Sequence, residues 1–199
     1  GGKLIFNGRN VDMHNLTCNQ NGGLEFDNSI IYIVNALNLD SNALGVSSKN
    51  SKIIFDGNNG YLVNKGFRLN EVIFDNMNNS YIDFSGIYGK MEIRNDAFIQ
   101  KSNEYDTLKF APGHTYTLRE ETIQTINEHL SLRGNQCFPI LRKSRYEEQP
   151  AEFYKEDGII SGDFLELHNI GANGGATFYA GLFSVDFENS NQGWIFDNS

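Results

Sequence analysis

A short phrase recurs along the chain and narrows what it can fold into. It reads Leu4-Ile5-Phe6-Asn7-Gly8, Leu24-Glu25-Phe26-Asp27-Asn28, Ile53-Ile54-Phe55-Asp56-Gly57 and Val72-Ile73-Phe74-Asp75-Asn76, and it returns as Trp194-Ile195-Phe196-Asp197-Asn198. In each copy a run of β-branched and aromatic residues meets an Asx-Gly or Asx-Asn turn signal, the pattern of a strand followed by a corner. Early copies recur at roughly 20 to 30 residues, the range of stacked structural units. A parallel β-helix suits this, because each coil supplies short strands whose inward side chains stack on the coil before. A sandwich of short alternating strands is the competing all-β architecture.

The residue supply fits corners. The 199 residues include 26 Asn and 20 Gly but only three Pro, so the chain turns through residues that tolerate left-handed backbone rather than through proline. The length and the 39% hydrophobic content allow one continuous core over residues 1–199. Between Glu120 and Arg133, Ile123, Ile126 and Leu130 fit a helical face, while Ile126, Leu130 and Leu132 share strand parity; the strand is preferred, next to Thr115-Tyr116-Thr117-Leu118. Tyr146 to Asp157, with its five acidic residues and Pro150, reads as a loop on the flank.

Net charge of −9, with no basic run, disfavours nucleic acid and anionic membrane surfaces. No apolar stretch approaches the ~20 residues of a membrane span, and Gly1-Gly2-Lys3 does not open a signal peptide, so a removed signal or an internal fragment of a larger protein is expected. Cys18 and Cys137 form no CxxC pair and read as two unpaired, buried thiols.

Motifs for catalysis are sparse. Asp56, Asp75 and Asp83 could align on stacked strands as the paired carboxylates of a glycosidase, but Asp56 and Asp75 occupy the Asx-turn slot of the repeat, where a carboxylate serves the backbone. His14, His114, His129 and His168 make no HExxH or i, i+4 pair and read as isolated surface or edge residues. Gly171-Ala172-Asn173-Gly174-Gly175 lacks the following helix of a phosphate cradle, since Ala176-Thr177-Phe178-Tyr179 reads as strand. Asp186, Glu188 and Ser190 offer alternating oxygens for calcium, without the glycine and glutamate of an EF-hand loop. Tyr61, Tyr81, Tyr88, Tyr105, Phe178, Tyr179 and Trp194 could stack on saccharide rings, although most aromatics of such a chain belong inside, and Trp194 suits closure of the solenoid's end. No catalytic, cofactor-binding or metal-binding residue is therefore assigned.

The second half carries a resemblance. Leu108-Lys109-Phe110-Ala111-Pro112-Gly113-His114-Thr115-Tyr116-Thr117-Leu118, then Ile123-Gln124-Thr125-Ile126-Asn127, then Phe138-Pro139-Ile140-Leu141-Arg142-Lys143-Ser144, then Gly174 to Phe196 with Ser184-Val185-Asp186 and Asn191-Gln192-Gly193-Trp194 follow one another in an order that resembles β-solenoid modules of giant adhesins. Such adhesins are exported by gliding bacteria through type IX secretion. Residues 1–107 match only in style. The acidic 146–157 segment and Phe187-Glu188 depart from the small, uncharged residues usual there. The resemblance implies a right-handed parallel β-helix in a secreted, cell-surface repeat protein used for adhesion and gliding motility, non-catalytic and without cofactor. It implies partners at the solenoid ends, either neighbouring modules or a capping protein, and surface polysaccharide as a ligand to consider. The alternatives are a carbohydrate-binding or polysaccharide-cleaving β-helix and, more remotely, a tailspike-like trimeric module.

Overall fold

The computed structural model describes residues 2–40, 42–144, 149–188 and 190–196. Among them there is no helix: parallel strands stack as a β-solenoid of about nine coils. The sandwich alternative is thereby excluded, since every strand pairing in the ladders is parallel.

One face is built from Asn10–Cys18, Ile30–Leu39, Lys52–Phe55, Arg68–Phe74, Ile87–Ile93, Asn103–Phe110 and Ile123–Arg133. Around a corner, Gly60–Asn64, Ser80–Asp83, Ala97–Ile99, Thr115–Leu118, Ile140–Ser144, Leu165–His168 and Val185–Phe187 form the next. In-register stacking turns period-2 alternation into columns. Ile31, Ile53, Val72, Met91, Leu108 and Leu130 occupy successive rungs of one buried column, and Leu37, Leu62, Ile82, Ile99 and Leu118 those of another. Each such side chain contributes about 1.5–3 kcal/mol by leaving water.

The recurrent phrase occupies more than one place in the coil. Its first two copies lie one coil apart in the ladder Lys3–Ile5, Gly23–Glu25, Gly45–Ser47, with the Phe6 and Phe26 rings stacked at 5.4 Å. Its third and fourth lie one coil apart on the long face, where Phe55 and Phe74 stack at 4.6 Å and 7°. The phrase thus marks a strand before a corner, not a fixed position around the coil. Left-handed asparagines do serve those corners: Asn7, Asn28 and Asn50 have φ of 51°, 56° and 52°.

Buried amides line the interior beside the apolar columns. Ser80 Oγ lies 3.0 Å from Asn76 Oδ1 and 2.6 Å from Asn95 Oδ1, while Asn95 Nδ2 donates to the Asn76 carbonyl at 2.9 Å. Tyr105 donates its hydroxyl to Gln124 Oε1 at 3.1 Å. These contacts satisfy polar groups whose burial would otherwise cost about 1–3 kcal/mol each.

The strand reading of the Glu120–Arg133 region is correct: Ile123–Arg133 is one strand with Ile126, Leu130 and Leu132 buried and Glu128 outside. The loop reading of 146–157 is not. Ala151–Lys155 is a core rung that pairs with Ile123–Thr125 and with Ile170–Gly174, and Ala151, Phe153 and Lys155 point inward. The Lys155 ammonium donates to the Asn127 carbonyl at 2.8 Å, so the inward lysine is satisfied. Residues 146–148 of that stretch lie outside the described residues. Cys18 is buried and Cys137 exposed, both free, which corrects the expectation of two buried thiols; Cys137 sits in the turn between Asn135 and Phe138 rather than on a rung.

Candidate functional site

The proposed carboxylates separate by role. Asp75 stacks one coil above Asp56, both exposed at the corner, and its carboxylate pairs with Arg94 at 3.1 Å. Asp83 lies on the neighbouring face opposite Val63, and its Oδ1 accepts the Phe84 N–H at 2.9 Å. Asp163 does the same for Phe164 at 3.0 Å, and both phenylalanines take left-handed backbone, φ 65° and 51°. These two Asp-Phe corners were not legible beforehand, since bulky residues seldom adopt that conformation.

Of the candidate calcium ligands Asp186, Glu188 and Ser190, the first and last are engaged by the fold itself. Asp186 accepts from the Asn191 amide, Ser190 Oγ accepts from the Asn169 N–H at 3.0 Å and lies 2.9 Å from the Phe187 carbonyl. Among the described residues no group of three His, Cys, Asp or Glu side chains is placed to hold a metal ion. Gly171 to Gly174 lies within a strand and is followed by Thr177–Tyr179, another strand. His14 and His129 are exposed, whereas His114 lies 3.3 Å from Asp96 and His168 stacks on Phe187 at 3.7 Å.

The aromatics divide too. Tyr88, Tyr105 and Phe178 are interior. Tyr61 and Tyr81 face out, stacked at 4.8 Å and 5°, with Phe98 on the next rung. Rings stacked along the solenoid axis turn their faces to one another and only their edges to solvent, so this row stiffens the rod instead of offering platforms for sugar rings.

A second outward row is ionic. Glu71 stands between Lys52 and Lys90, at 3.2 and 2.8 Å, and Glu92 meets Arg94 at 2.8 Å and Lys109 at 3.4 Å. Burial pushes both glutamates up, but hydrogen bonds from Lys90 and Lys52 to Glu71, and from Arg94 to Glu92, outweigh it and hold both below the usual range. Opposite charges placed directly across adjacent rungs favour this register over a slipped one.

The remaining unpaired geometry is at the ends. Among the described residues Lys3–Ile5 and Asn10–Cys18 have a ladder partner on one side only, as do Val185–Phe187 and Trp194–Ile195. Leu4 and Ile5 are half exposed at one end, and Val185, Phe187 and Ile195 are partly exposed at the other. Trp194 packs edge-on against Phe178 at 5.2 Å and Phe153 at 6.5 Å, fitting the expected end-closing position, and its buried indole Nε1 has no acceptor among the described residues. Open edges of this kind are templates for a further strand. Comparison with protein-family models, with curated proteins and with solved structures returns no match for the chain.

Proposed function

We infer that the chain is a non-catalytic rod module of a large, secreted bacterial surface adhesin serving attachment or gliding, continued at its ends by neighbouring modules or a capping partner. The observation that carries this reading is the pair of terminal ladder edges: among the described residues Lys3–Ile5 and Trp194–Ile195 each pair on one side, and the buried Trp194 indole N–H has no acceptor. A parallel strand added at either end extends the existing columns. The order of sequence blocks from Leu108 to Phe196 supports the adhesin context. Outward rows of stacked tyrosines and alternating charges suit a stiff spacer. Of the three carboxylates considered for a glycosidase, Asp83 is engaged by backbone and Asp75 by arginine.

Two copies fused in tandem should scatter X-rays as one straight rod close to twice the length of a single copy. A freely hinged pair would refute the spacer reading. Incubation with bacterial and algal polysaccharides, followed by light scattering, should leave polymer mass unchanged; falling mass would make this an enzyme.

A further inference from the structure

Asparagine followed by glycine is the residue pair at which a polypeptide most readily modifies itself, and this chain has four: Asn7-Gly8, Asn21-Gly22, Asn59-Gly60 and Asn173-Gly174. The glycine nitrogen attacks the asparagine Cγ, and glycine lacks the side chain that would hinder the approach. Sequence alone ranks the four as equals. The fold separates them by the acceptor that each glycine N–H has found. Gly8 donates to the Asp27 carbonyl at 3.3 Å and to Ser29 Oγ at 3.1 Å. Gly22 donates to the Asn19 carbonyl at 3.1 Å, and Gly60, itself buried, to the Asn79 carbonyl at 3.1 Å. Each of these three must give up a bond to another part of the chain before its nitrogen can turn on the neighbouring asparagine.

Gly174 differs. Its N–H donates to Asn173 Oδ1 at 2.7 Å, the oxygen of the group it would attack. Cγ lies one C=O bond of about 1.2 Å past that oxygen, so nucleophile and electrophile stand within about 4 Å of one another, the kind of proximity that speeds an intramolecular step. The solenoid explains the arrangement. Ala172 turns its N–H to the Gln192 carbonyl on the last coil at 2.8 Å. Two residues on, Gly174 faces the same way, but Trp194–Ile195 has by then moved over to pair with Phe178 and Tyr179. The Asn173 side chain receives the N–H in place of a ladder carbonyl. Asn173, Gly174 and Gly175 are all exposed, so water and hydroxide reach the pair.

We propose that Asn173 is a self-modification site, converted in the folded protein to an isoaspartyl or aspartyl residue through a succinimide. Hydroxide removes the Gly174 amide proton, the nitrogen bonds to Cγ, and the Cγ–Nδ2 bond breaks, Nδ2 taking a proton from water and leaving as ammonia. Water then opens the ring. Attack at Cγ leaves aspartate, attack at the main-chain carbonyl leaves isoaspartate, and the net change consumes one water and releases one ammonia. Conversion alters the last coils in two ways. A carboxylate replaces the amide whose Nδ2 donates to Glu152 at 3.5 Å, so attraction between adjacent rungs becomes like-charge repulsion. The isoaspartyl form also lengthens the backbone by one carbon where there is no slack, since Gly174 has φ of +104° and a Cβ there would lie 2.0 Å from the Lys155 carbonyl oxygen. Ile170–Gly174 then loses its register with Ala151–Lys155 as the protein ages. This ageing clock stands independently of the rod reading.

Peptide mapping by mass spectrometry, on native protein held in mildly alkaline buffer, tests this, with isoaspartate counted by enzymatic methylation. Asn173 should convert first, roughly two- to tenfold faster than Asn7, Asn21 or Asn59, the worth of the one hydrogen bond the other glycines must break. In the same protein unfolded in urea the four rates should converge, which assigns the selectivity to the fold. Asn173→Gln, an exposed change whose added methylene disfavours ring closure, should remove the fast phase and keep the parent melting temperature. Amide exchange in the aged protein should rise over Ile170–Gly174 and stay unchanged in the central coils, and the Asn173→Gln protein should show no such rise. Equal rates at the four pairs in the native protein, Asn173 lagging behind any of the others, or a native preference that persists in urea would overturn the proposal.

Discussion

Truncating Phe74 tests whether stacked rings, rather than corner chemistry, hold the coils together. The ring is fully buried, lies parallel to Phe55 on the rung before, and faces Ile93 on the rung after. The surroundings are tight: a methyl built on Gly60 would come within 2.8 Å of Phe74 Cδ1. Ladders on both sides pin the backbone, so little collapse into the vacated space can follow. Phe74→Ala should therefore cost about 4 kcal/mol, within the range for buried phenylalanine truncations and a large part of the stability of an ordinary domain. Phe55→Ala should cost a similar amount, and the double variant less than the sum by about 1 kcal/mol, because the ring–ring term is lost only once. Equilibrium urea unfolding of the four proteins, followed by far-ultraviolet circular dichroism, yields the cycle. Met77→Ala, 82% exposed at a corner, serves as the control and should stay within ~0.5 kcal/mol of the parent. A Phe74→Ala cost under ~1 kcal/mol, or additivity within ~0.3 kcal/mol, would refute ring stacking as the inter-coil cement.

Acid should loosen the ionic row. Glu71 and Glu92 have lowered pKa values in the fold, so their contribution is complete above the unfolded value of about 4.3 and is lost as pH falls below it through the folded values. Glu71→Gln should flatten that acid limb of the stability–pH curve while leaving its shape above pH ~6 unchanged. Asn76→Ala should destabilise by about 1–3 kcal/mol in thermal unfolding, since its amide donates to the carbonyls of Asn78 and Asn79 from a buried position. Gly193→Ala should disorder the last coil, because φ is +82° and a Cβ would sit 2.0 Å from the Ala172 carbonyl oxygen; amide exchange near Trp194 should rise while the central coils stay protected. In the native protein a maleimide should label Cys137 quickly and Cys18 slowly, since burial and the nearby Asp40 raise the Cys18 thiol.

The architecture was readable because stacking in register makes alternation add up from coil to coil. Ile53, Phe55, Val72 and Phe74 announce both strand and inward parity, and Asn7 and Asn28 announce corners. Ala151–Lys155 was missed for a physical reason: glutamates at 147, 148 and 152 dominate the local composition, while the inward positions carry one small residue, one aromatic and a lysine whose charged end reaches a carbonyl. Position around the coil was also hidden, since a phrase that marks strand-then-corner recurs at different corners of a polygonal coil.

The parallel ladders also bear on how the molecule yields under load. All inter-coil hydrogen bonds run along the axis, and neighbouring rungs such as Glu71 and Lys90 are 19 residues apart. Tension applied at the chain ends therefore peels the terminal coil first and loads the next only when that coil has gone. Each release pays out about 65 Å of chain at about 3.4 Å per extended residue. Under the adhesin reading proposed above, a cell tethered through such a rod would meet a sudden drag with stepwise lengthening in place of a single rupture, and would keep most of the rod intact while the force passed.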